Sequence, residues 1–124
     1  MKPGQGVSKK IFLLDDDPTY LLIMQRAAEM EGIELDIYSS FHDIRAAGAL
    51  NSYDGAIIDY DLESVTGIEI CEYLSSMKHS IPLVMVSRFK TIPKNRKLPE
   101  NVKLFIPKSA GYQKVLKAVA GINE

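Results

Sequence analysis

The chain has 124 residues, which is enough for one compact domain with a buried core but too few for two domains. Its composition, 46% apolar and 25% charged, is that of an ordinary globular protein and excludes a disordered or fibrous one. The formal net charge of −1 gives no overall field that would attract nucleic acid or an anionic membrane, so we expect direct binding to neither.

Cysteine content and hydropathy favour a cytoplasmic protein. The single cysteine, Cys71, excludes an internal disulfide framework and permits a reducing compartment. No apolar run approaches the roughly 20 residues needed to span a bilayer. The segment 1–8 is short and polar and lacks the apolar stretch of a signal peptide, so we predict a flexible tail there. A single domain is predicted to follow over 9–122.

The first half of the chain predicts strands alternating with helices. The predicted strands cover 9–14, 33–38 and 55–59, and the predicted helices cover 18–31 and 41–50. Asp17 followed by Pro18 provides an N-cap and a proline at the first helical position. Gly32 ends that helix, and Ser40 can cap the next one.

The second half continues the alternation. A helix follows Gly67, a strand that is apolar throughout covers 82–87, another strand covers 102–106, and a last helix covers 110–121. The buried stripes of these two helices are predicted to contain Ile70, Cys71, Leu74 and Met77, and Val115, Leu116, Val119 and Ile122. Residues 88–101 contain two prolines and five basic residues, which predicts a loop or at most a short helix. The alternation predicts a doubly wound, five-stranded parallel α/β sheet with helices on both faces.

Acidic residues follow two of the predicted strands. Asp59 ends the apolar run Ala56-Ile57-Ile58, and Asp15-Asp16-Asp17 ends the run 11–14. If these strands are parallel neighbours about 5 Å apart, their carboxylates share one crevice at the carboxyl edge of the sheet. Crowded carboxylates are unfavourable without a cation, and a cluster of oxygen ligands suits Mg²⁺. The sequence therefore predicts a magnesium site around one reactive aspartate, Asp59.

Four landmarks in this order resemble the receiver domain of two-component response regulators. They are Leu13-Leu14-Asp15-Asp16-Asp17-Pro18, Ile57-Ile58-Asp59 with Gly67 eight residues later, Val86-Ser87, and Phe105-Ile106-Pro107-Lys108. The resemblance covers about residues 9–122. It implies a flavodoxin-like fold with strand order 2-1-3-4-5, in which the fourth helix is here shortened or irregular, and a signalling module rather than an enzyme.

The resemblance also implies a role for each landmark residue. Asp59 would be the phosphoacceptor, receiving a phosphoryl group from a histidine kinase, a phosphotransfer protein or a small phosphodonor. Asp16 and Asp59 would bind Mg²⁺ through side chains, Asp61 through its backbone carbonyl, and Asp15 through water. Such a domain would pass the signal to a downstream protein and would be a monomer or a weak dimer.

Three further residues are assigned to transfer and switching. Lys108 has the reach to pair with the Asp59 carboxylate before transfer and with the phosphoryl group after it. Ser87 offers a hydroxyl that can move to donate to a phosphoryl oxygen, and the resemblance implies that Phe105 is the aromatic that would turn inward as space opens. Arg88 stands where the family usually has a small residue, so it could bind the phosphoryl group or hinder access.

Other readings stay open for several of these features. Asp17 is most simply a helix cap, the Asp61 side chain could be solvated, Phe105 could belong partly to the core, and His42 and His79 are surface histidines in the plain reading. The segment 88–101 could form a divergent partner site. A receiver-like interaction module that is never phosphorylated is the second functional hypothesis. A haloacid-dehalogenase-type phosphatase is the third, because Asp59-Tyr60-Asp61 after an apolar strand also resembles its nucleophile motif.

Overall fold

The computed structural model describes residues 9–47, 50–62, 66–76, 81–89 and 97–121. Its strands are β1 (Lys10–Leu14), β2 (Glu34–Tyr38), β3 (Gly55–Asp59), β4 (Leu83–Ser87) and β5 (Val102–Pro107). The α-helices within the described residues are α1 (Pro18–Glu31), α2 (Phe41–Ala47), α3 (Gly67–Ser75) and α4 (Tyr112–Gly121). Short 3₁₀ helices cover Leu50–Ser52 and Lys108–Ala110.

The five strands form one parallel sheet in the order β2-β1-β3-β4-β5, which confirms the predicted flavodoxin-like fold. In the register of β1 and β3, Leu14 lies opposite Ile58. The residues that follow these two strands therefore leave the sheet side by side. This is the edge at which open parallel sheets bind ligands.

The sheet is covered on both faces because successive strand residues point to opposite sides and are apolar in both directions. On one face, Ile11 and Leu13 pack with residues of α1 and α4. On the other face, Phe12 and Leu14 pack with residues of α2 and α3. Cys71 lies in this second cluster with no exposed surface, which confirms its interpretation as a small buried hydrophobe.

Local hydrogen bonds and backbone conformation explain the predicted helix boundaries in the first half of the chain. Asp17 Oδ1 accepts a hydrogen bond of 3.0 Å from the Thr19 amide, and Pro18 begins α1. Gly32 ends α1 in the left-handed conformation, with φ of 73°. Ser40 Oγ accepts a hydrogen bond of 3.2 Å from the Asp43 amide at the start of α2.

Several predicted boundaries were wrong by a few residues. The last helix begins at Tyr112 rather than at residue 110, because Gly111 has a φ of 102° and separates α4 from the 3₁₀ helix before it. Helix α2 ends at Ala47, and Leu50 starts a 3₁₀ helix instead of continuing it. Strand β5 extends through Pro107, which an edge strand tolerates.

The segment between β4 and β5 is described only at its two ends. Residues 88–89 and 97–101 contain no helix, in agreement with the predicted loop, and residues 90–96 lie outside the described residues. The same is true of the predicted tail at 1–8 and of Met77, His79 and Ile122. In the described parts of the chain, no helix combines the length and apolar character needed to cross a bilayer.

Candidate functional site

Three carboxylates meet where β1 and β3 end. One oxygen from each of Asp15, Asp16 and Asp59 lies within 4.8 Å of the others. Asp15 has no exposed surface and Asp59 is 2% exposed. The side-by-side exit of the two strands produces this cluster, and it is the juxtaposition that the sequence predicts.

The loops after the strands hold these acids through main-chain hydrogen bonds. The Asp17 amide donates to Asp15 Oδ1 at 2.9 Å, and the Asp61 amide donates to Asp59 Oδ1 at 3.1 Å. Gly67 packs directly against this turn, because a Cβ built on it would stand 2.3 Å from the carbonyl oxygen of Asp59. A glycine is therefore required there for the start of α3 to approach β3 so closely.

Lys108 provides the positive charge in the cluster. Its Nζ lies 2.7 Å from Asp15 Oδ2 and 3.5 Å from Asp59 Oδ2, and its side chain is 20% exposed. The first contact is the shorter of the two ion pairs. Burial by itself lowers the pKa of Lys108, but Asp15 and then Asp59 outweigh it, so that the pKa is raised and the lysine stays charged.

Asp59 is held in an environment that disfavours its charge. Burial raises the pKa of Asp59 to about 7, and the negative charges of Asp15 and Asp61 act in the same direction. The Asp61 amide and the Lys108 ammonium oppose this shift. A cation added to the cluster would favour the ionised carboxylate, which is the form able to act as a nucleophile.

Ser87, at the end of β4, is hydrogen-bonded on two sides. Its Oγ donates to Asp61 Oδ2 at 2.9 Å and accepts from the Phe89 amide at 3.0 Å. Ser87 has no exposed surface, whereas Asp61 is partly exposed. The Asp61 side chain is therefore not simply solvated, and this contact is one that the sequence did not predict.

Arg88 stands at the rim of the crevice above the acids. The crevice has a volume of about 200 Å³ and is lined by Asp15, Asp16, Asp17, Asp59, Asp61, Arg88 and Lys108. Arg88 is exposed, and its guanidinium lies 5.0 Å from the centre of the Phe89 ring. Arg88, which stands where a small residue is expected, thus lines the crevice that contains Asp59.

Tyr20 belongs to the site although the sequence analysis gave it no role. Lys108 Nζ lies 4.3 Å from the centre of its ring, and the Tyr20 ring also packs against Tyr112 at 5.7 Å. The Tyr20 hydroxyl is buried and has no hydrogen-bond partner among the described residues. Burial, followed by the charge of Asp15, raises the pKa of Tyr20. Its place in the first turn of α1, directly after the acidic run, is the signal that could have identified it.

The remaining candidates, apart from Asp17, lie outside the crevice. Phe105 is partly buried, pairs in register with Met85 and packs against the cluster on the α2 and α3 face. It lies outside the residues that line the crevice. Asp17 is exposed and caps α1, and His42 is an exposed residue of α2, as the plain reading predicted.

The donor set fits a divalent cation of the magnesium type. Asp15, Asp16 and Asp59 offer carboxylate oxygens that are already within 4.8 Å of one another. Hard cations prefer such all-oxygen sites, whereas the nitrogen and sulfur ligands typical of zinc do not line the crevice. Within the described residues, the side chains therefore suit Mg²⁺ better than a softer metal.

The sequence matches the family model described as the response regulator receiver domain over residues 11–120. No curated protein matches the sequence. The family match thus covers all five strands except Lys10, and most of α4.

Solved receiver structures share this fold at low sequence identity. A CheY-like receiver domain protein from Methanospirillum hungatei is 20% identical, with 91% of each chain covered and a TM-score of 0.71. A CheY-like receiver domain from Methylobacillus flagellatus is 22% identical over 91% of this chain and 99% of its own, with a TM-score of 0.73. The response regulator TrrA from Thermotoga maritima, solved in complex with Mg²⁺-BeF, is 17% identical over 90% of this chain and 96% of its own, with a TM-score of 0.77.

Proposed function

This chain belongs to the response regulator receiver domain family, and we propose that it is the phosphoacceptor of a two-component phosphorelay, with Asp59 as the residue that receives the phosphoryl group. The observation that supports this most directly is the cluster at the carboxyl edge of the sheet. There a buried aspartate has two further carboxylates within 4.8 Å and a lysine at 3.5 Å.

In the proposed reaction an oxygen of the Asp59 carboxylate attacks the phosphorus of a phosphohistidine on a partner protein. A P–O bond forms, the P–N bond breaks, and its electron pair remains on the imidazole nitrogen, which then takes up a proton from water. Such a transfer depends on positioning and on neutralising oxygen charge more than on covalent chemistry. Mg²⁺, when bound by Asp16, Asp59, the Asp61 carbonyl and Asp15 through water, supplies part of that neutralisation.

The chain's own residues supply the rest. Lys108 is already charged and 3.5 Å from Asp59, so a small movement brings its ammonium to a phosphoryl oxygen. Ser87 lies at the end of the strand next to β3 and has a hydroxyl that can donate to a second oxygen. Movement of Ser87 would free space near Phe105, which is only partly buried and is proposed to turn inward as the conformational switch.

We assign to Arg88 control of access to Asp59. It is exposed and lines the crevice, so its guanidinium can contact a phosphoryl oxygen, and its bulk narrows the approach of small phosphodonors. Replacing Arg88 with alanine should then increase the rate of phosphorylation by a small donor more than the rate with a protein donor. Equal changes for both donors would exclude a role in access.

The proposed partners are a histidine kinase or phosphotransfer protein upstream and a protein target downstream, with the domain itself acting in the cytoplasm as a monomer or weak dimer. It acts by changing a binding surface and is not expected to turn over a substrate. The segment 88–101 is the proposed place for a partner site that differs from those of relatives, since its described ends carry no helix.

The test is phosphorylation in the presence of Mg²⁺, followed by intact-mass measurement. We expect wild type to gain one phosphoryl group from a cognate kinase, and Asp59→Asn to gain none. Asp43→Asn changes an exposed acid on α2 in the same way and should behave like wild type. Absence of the adduct in wild type would contradict the proposal and favour an interaction module that is not phosphorylated. Steady release of phosphate would instead indicate a phosphatase.

A further inference from the structure

We infer that the Asp61 side chain is a latch, which holds the Ser87 hydroxyl while Asp59 is unmodified and must release it when a phosphoryl group arrives. The inference rests on the proposed function and adds a positioning residue to it. In the proposed function Asp61 acts only through its backbone carbonyl, as a ligand of Mg²⁺. The latch uses its side-chain carboxylate.

The latch follows from the hydrogen bonds of Ser87. Its Oγ donates to Asp61 Oδ2 at 2.9 Å and accepts from the Phe89 amide at 3.0 Å. A hydroxyl has a single proton and can donate to only one acceptor at a time. Ser87 is fully buried, so water cannot take the place of a lost partner. For Ser87 to donate to a phosphoryl oxygen, its bond to Asp61 has to break.

The position of Asp61 makes this competition direct. The Asp61 amide donates to Asp59 Oδ1 at 3.1 Å, so the same residue contacts Asp59 through its main chain and Ser87 through its side chain. A phosphoryl group on Asp59 carries a charge of about −1.5 to −2 and would lie beside the Asp61 carboxylate. Repulsion between the two would push the carboxylate away and release the serine.

The displaced carboxylate has a cation available. Asp61 and Arg88 both line the crevice above the acids and also a second, more open depression with Asp16 and Leu62. Arg88 is exposed and bonded to no carboxylate among the described ion pairs, so its guanidinium can pair with Asp61 after the movement. This exchange of partners by Asp61 couples the phosphorylation state of Asp59 to the position of Ser87. Through the Phe89 amide, which donates to Ser87, it also reaches the beginning of the segment after β4.

The experiment uses beryllofluoride, which mimics a phosphoryl group on an aspartate, and measures its affinity by calorimetry at saturating Mg²⁺ for each variant. We expect Asp61→Ala to bind about tenfold more tightly than wild type, because the latch no longer competes for Ser87. In a Ser87→Ala background the same change should increase affinity no more than about threefold, since only the charge effect is left. Asp43→Ala, which removes an exposed negative charge on α2, should leave the affinity unchanged.

A second readout is the amide resonance of Phe89, compared between the free and the beryllofluoride-bound protein. In wild type the amide resonance of Phe89 should shift when beryllofluoride binds, because its hydrogen-bond acceptor Ser87 moves. In unliganded Asp61→Ala the same resonance should already have moved towards the bound position. A general loss of structure would move many resonances and lower the melting temperature, so it can be distinguished from release of the latch.

The outcomes separate this inference from the function on which it rests. An affinity of Asp61→Ala equal to or weaker than that of wild type would overturn the latch. An equal gain with and without Ser87 would also overturn it, because Asp61 would then act through charge alone. If wild type fails to bind beryllofluoride at saturating Mg²⁺, the proposed function falls and the latch falls with it.

Discussion

Lys108 lies closer to Asp15 than to Asp59. Its Nζ is 2.7 Å from Asp15 Oδ2 and 3.5 Å from Asp59 Oδ2, and the ring of Tyr20 lies 4.3 Å from the same nitrogen. The lysine is therefore held mainly by an aspartate that is proposed to contact the metal only through water. Burial raises the pKa of Asp59 to about 7, with the charge of Asp15 acting in the same direction, and the more distant ammonium of Lys108 opposes this shift only in part.

Removal of the lysine charge should destabilise the protein. In Lys108→Met, the buried carboxylates of Asp15 and Asp59 lose their cation, and we expect the free energy of unfolding to fall by about 3 kcal/mol near neutral pH without Mg²⁺. Adding Asp15→Asn should restore part of the loss, because one uncompensated charge is removed. Urea denaturation measures both effects.

Lys103→Met is the matched control, since Lys103 is an exposed residue of β5, the strand that leads to Lys108, and its Nζ donates to the Glu100 carbonyl oxygen and to no carboxylate among the described residues. We expect its effect to stay within about 0.5 kcal/mol. Equal losses in Lys103→Met and Lys108→Met would show that Lys108 does not neutralise the acids.

Magnesium should stabilise the fold. A ligand that binds only the folded state contributes about 1.4 kcal/mol at ten times its dissociation constant, which corresponds to a rise in melting temperature of about 5 °C. Asp16→Asn removes one of the three clustered carboxylates and should reduce this rise to that seen with sodium chloride at matched ionic strength. Thermal scans at several Mg²⁺ concentrations check the prediction, and an unchanged wild-type midpoint at millimolar Mg²⁺ would contradict it.

In Mg²⁺-free buffer, stability should fall as the pH rises from about 4 to about 7. In the folded state the pKa of Asp59 is raised from 3.8 to about 7, so across this interval the folded protein binds a proton that the unfolded chain has lost. The contribution of this proton is fully present below the unfolded pKa and is lost as the pH passes the folded pKa.

The effect is isolated by comparing wild type with Asp59→Asn, which has no titrating group at this position. We expect the difference in unfolding free energy between the two to change by about 2 kcal/mol across the interval, less than the full shift would give because solvent and Lys108 screen the charge. Parallel curves for the two proteins would show that Asp59 titrates normally.

Gly67 should not tolerate a side chain. An alanine Cβ at this position would stand 2.3 Å from the Asp59 carbonyl oxygen and 2.9 Å from the Tyr60 Cα, both of which are backbone atoms. We expect Gly67→Ala to lower the unfolding free energy by about 3 kcal/mol, because α3 or the turn after β3 has to shift. Gly121→Ala is the control, since a Cβ in that helical position meets nothing within 4 Å, and the change should be neutral or slightly stabilising. Similar stability of both variants in denaturant titrations would show that the approach of α3 to β3 is not tight.

Local sequence patterns determined the elements and the position of the acids. Each apolar run between turn signals became a strand of the sheet, and the Asp17-Pro18 pair and Gly32 set the two ends of α1 through capping and backbone conformation. The carboxyl ends of neighbouring parallel strands share one edge of the sheet. Because β1 and β3 are such neighbours, the acids that follow them lie together. These features depend on short-range periodicity and on chain geometry, both of which are present in the sequence.

Only the tertiary structure decided which side chains in the site contact one another. It placed Lys108 nearer to Asp15 than to Asp59 and set the Tyr20 ring beside the lysine. It also brought Ser87, at the end of β4, into a hydrogen bond with Asp61, which follows β3. It also divided the predicted last helix at Gly111. Contacts of this kind depend on side-chain rotamers and on differences of less than 1 Å between competing partners, and these are fixed when strands and helices far apart in the chain pack together.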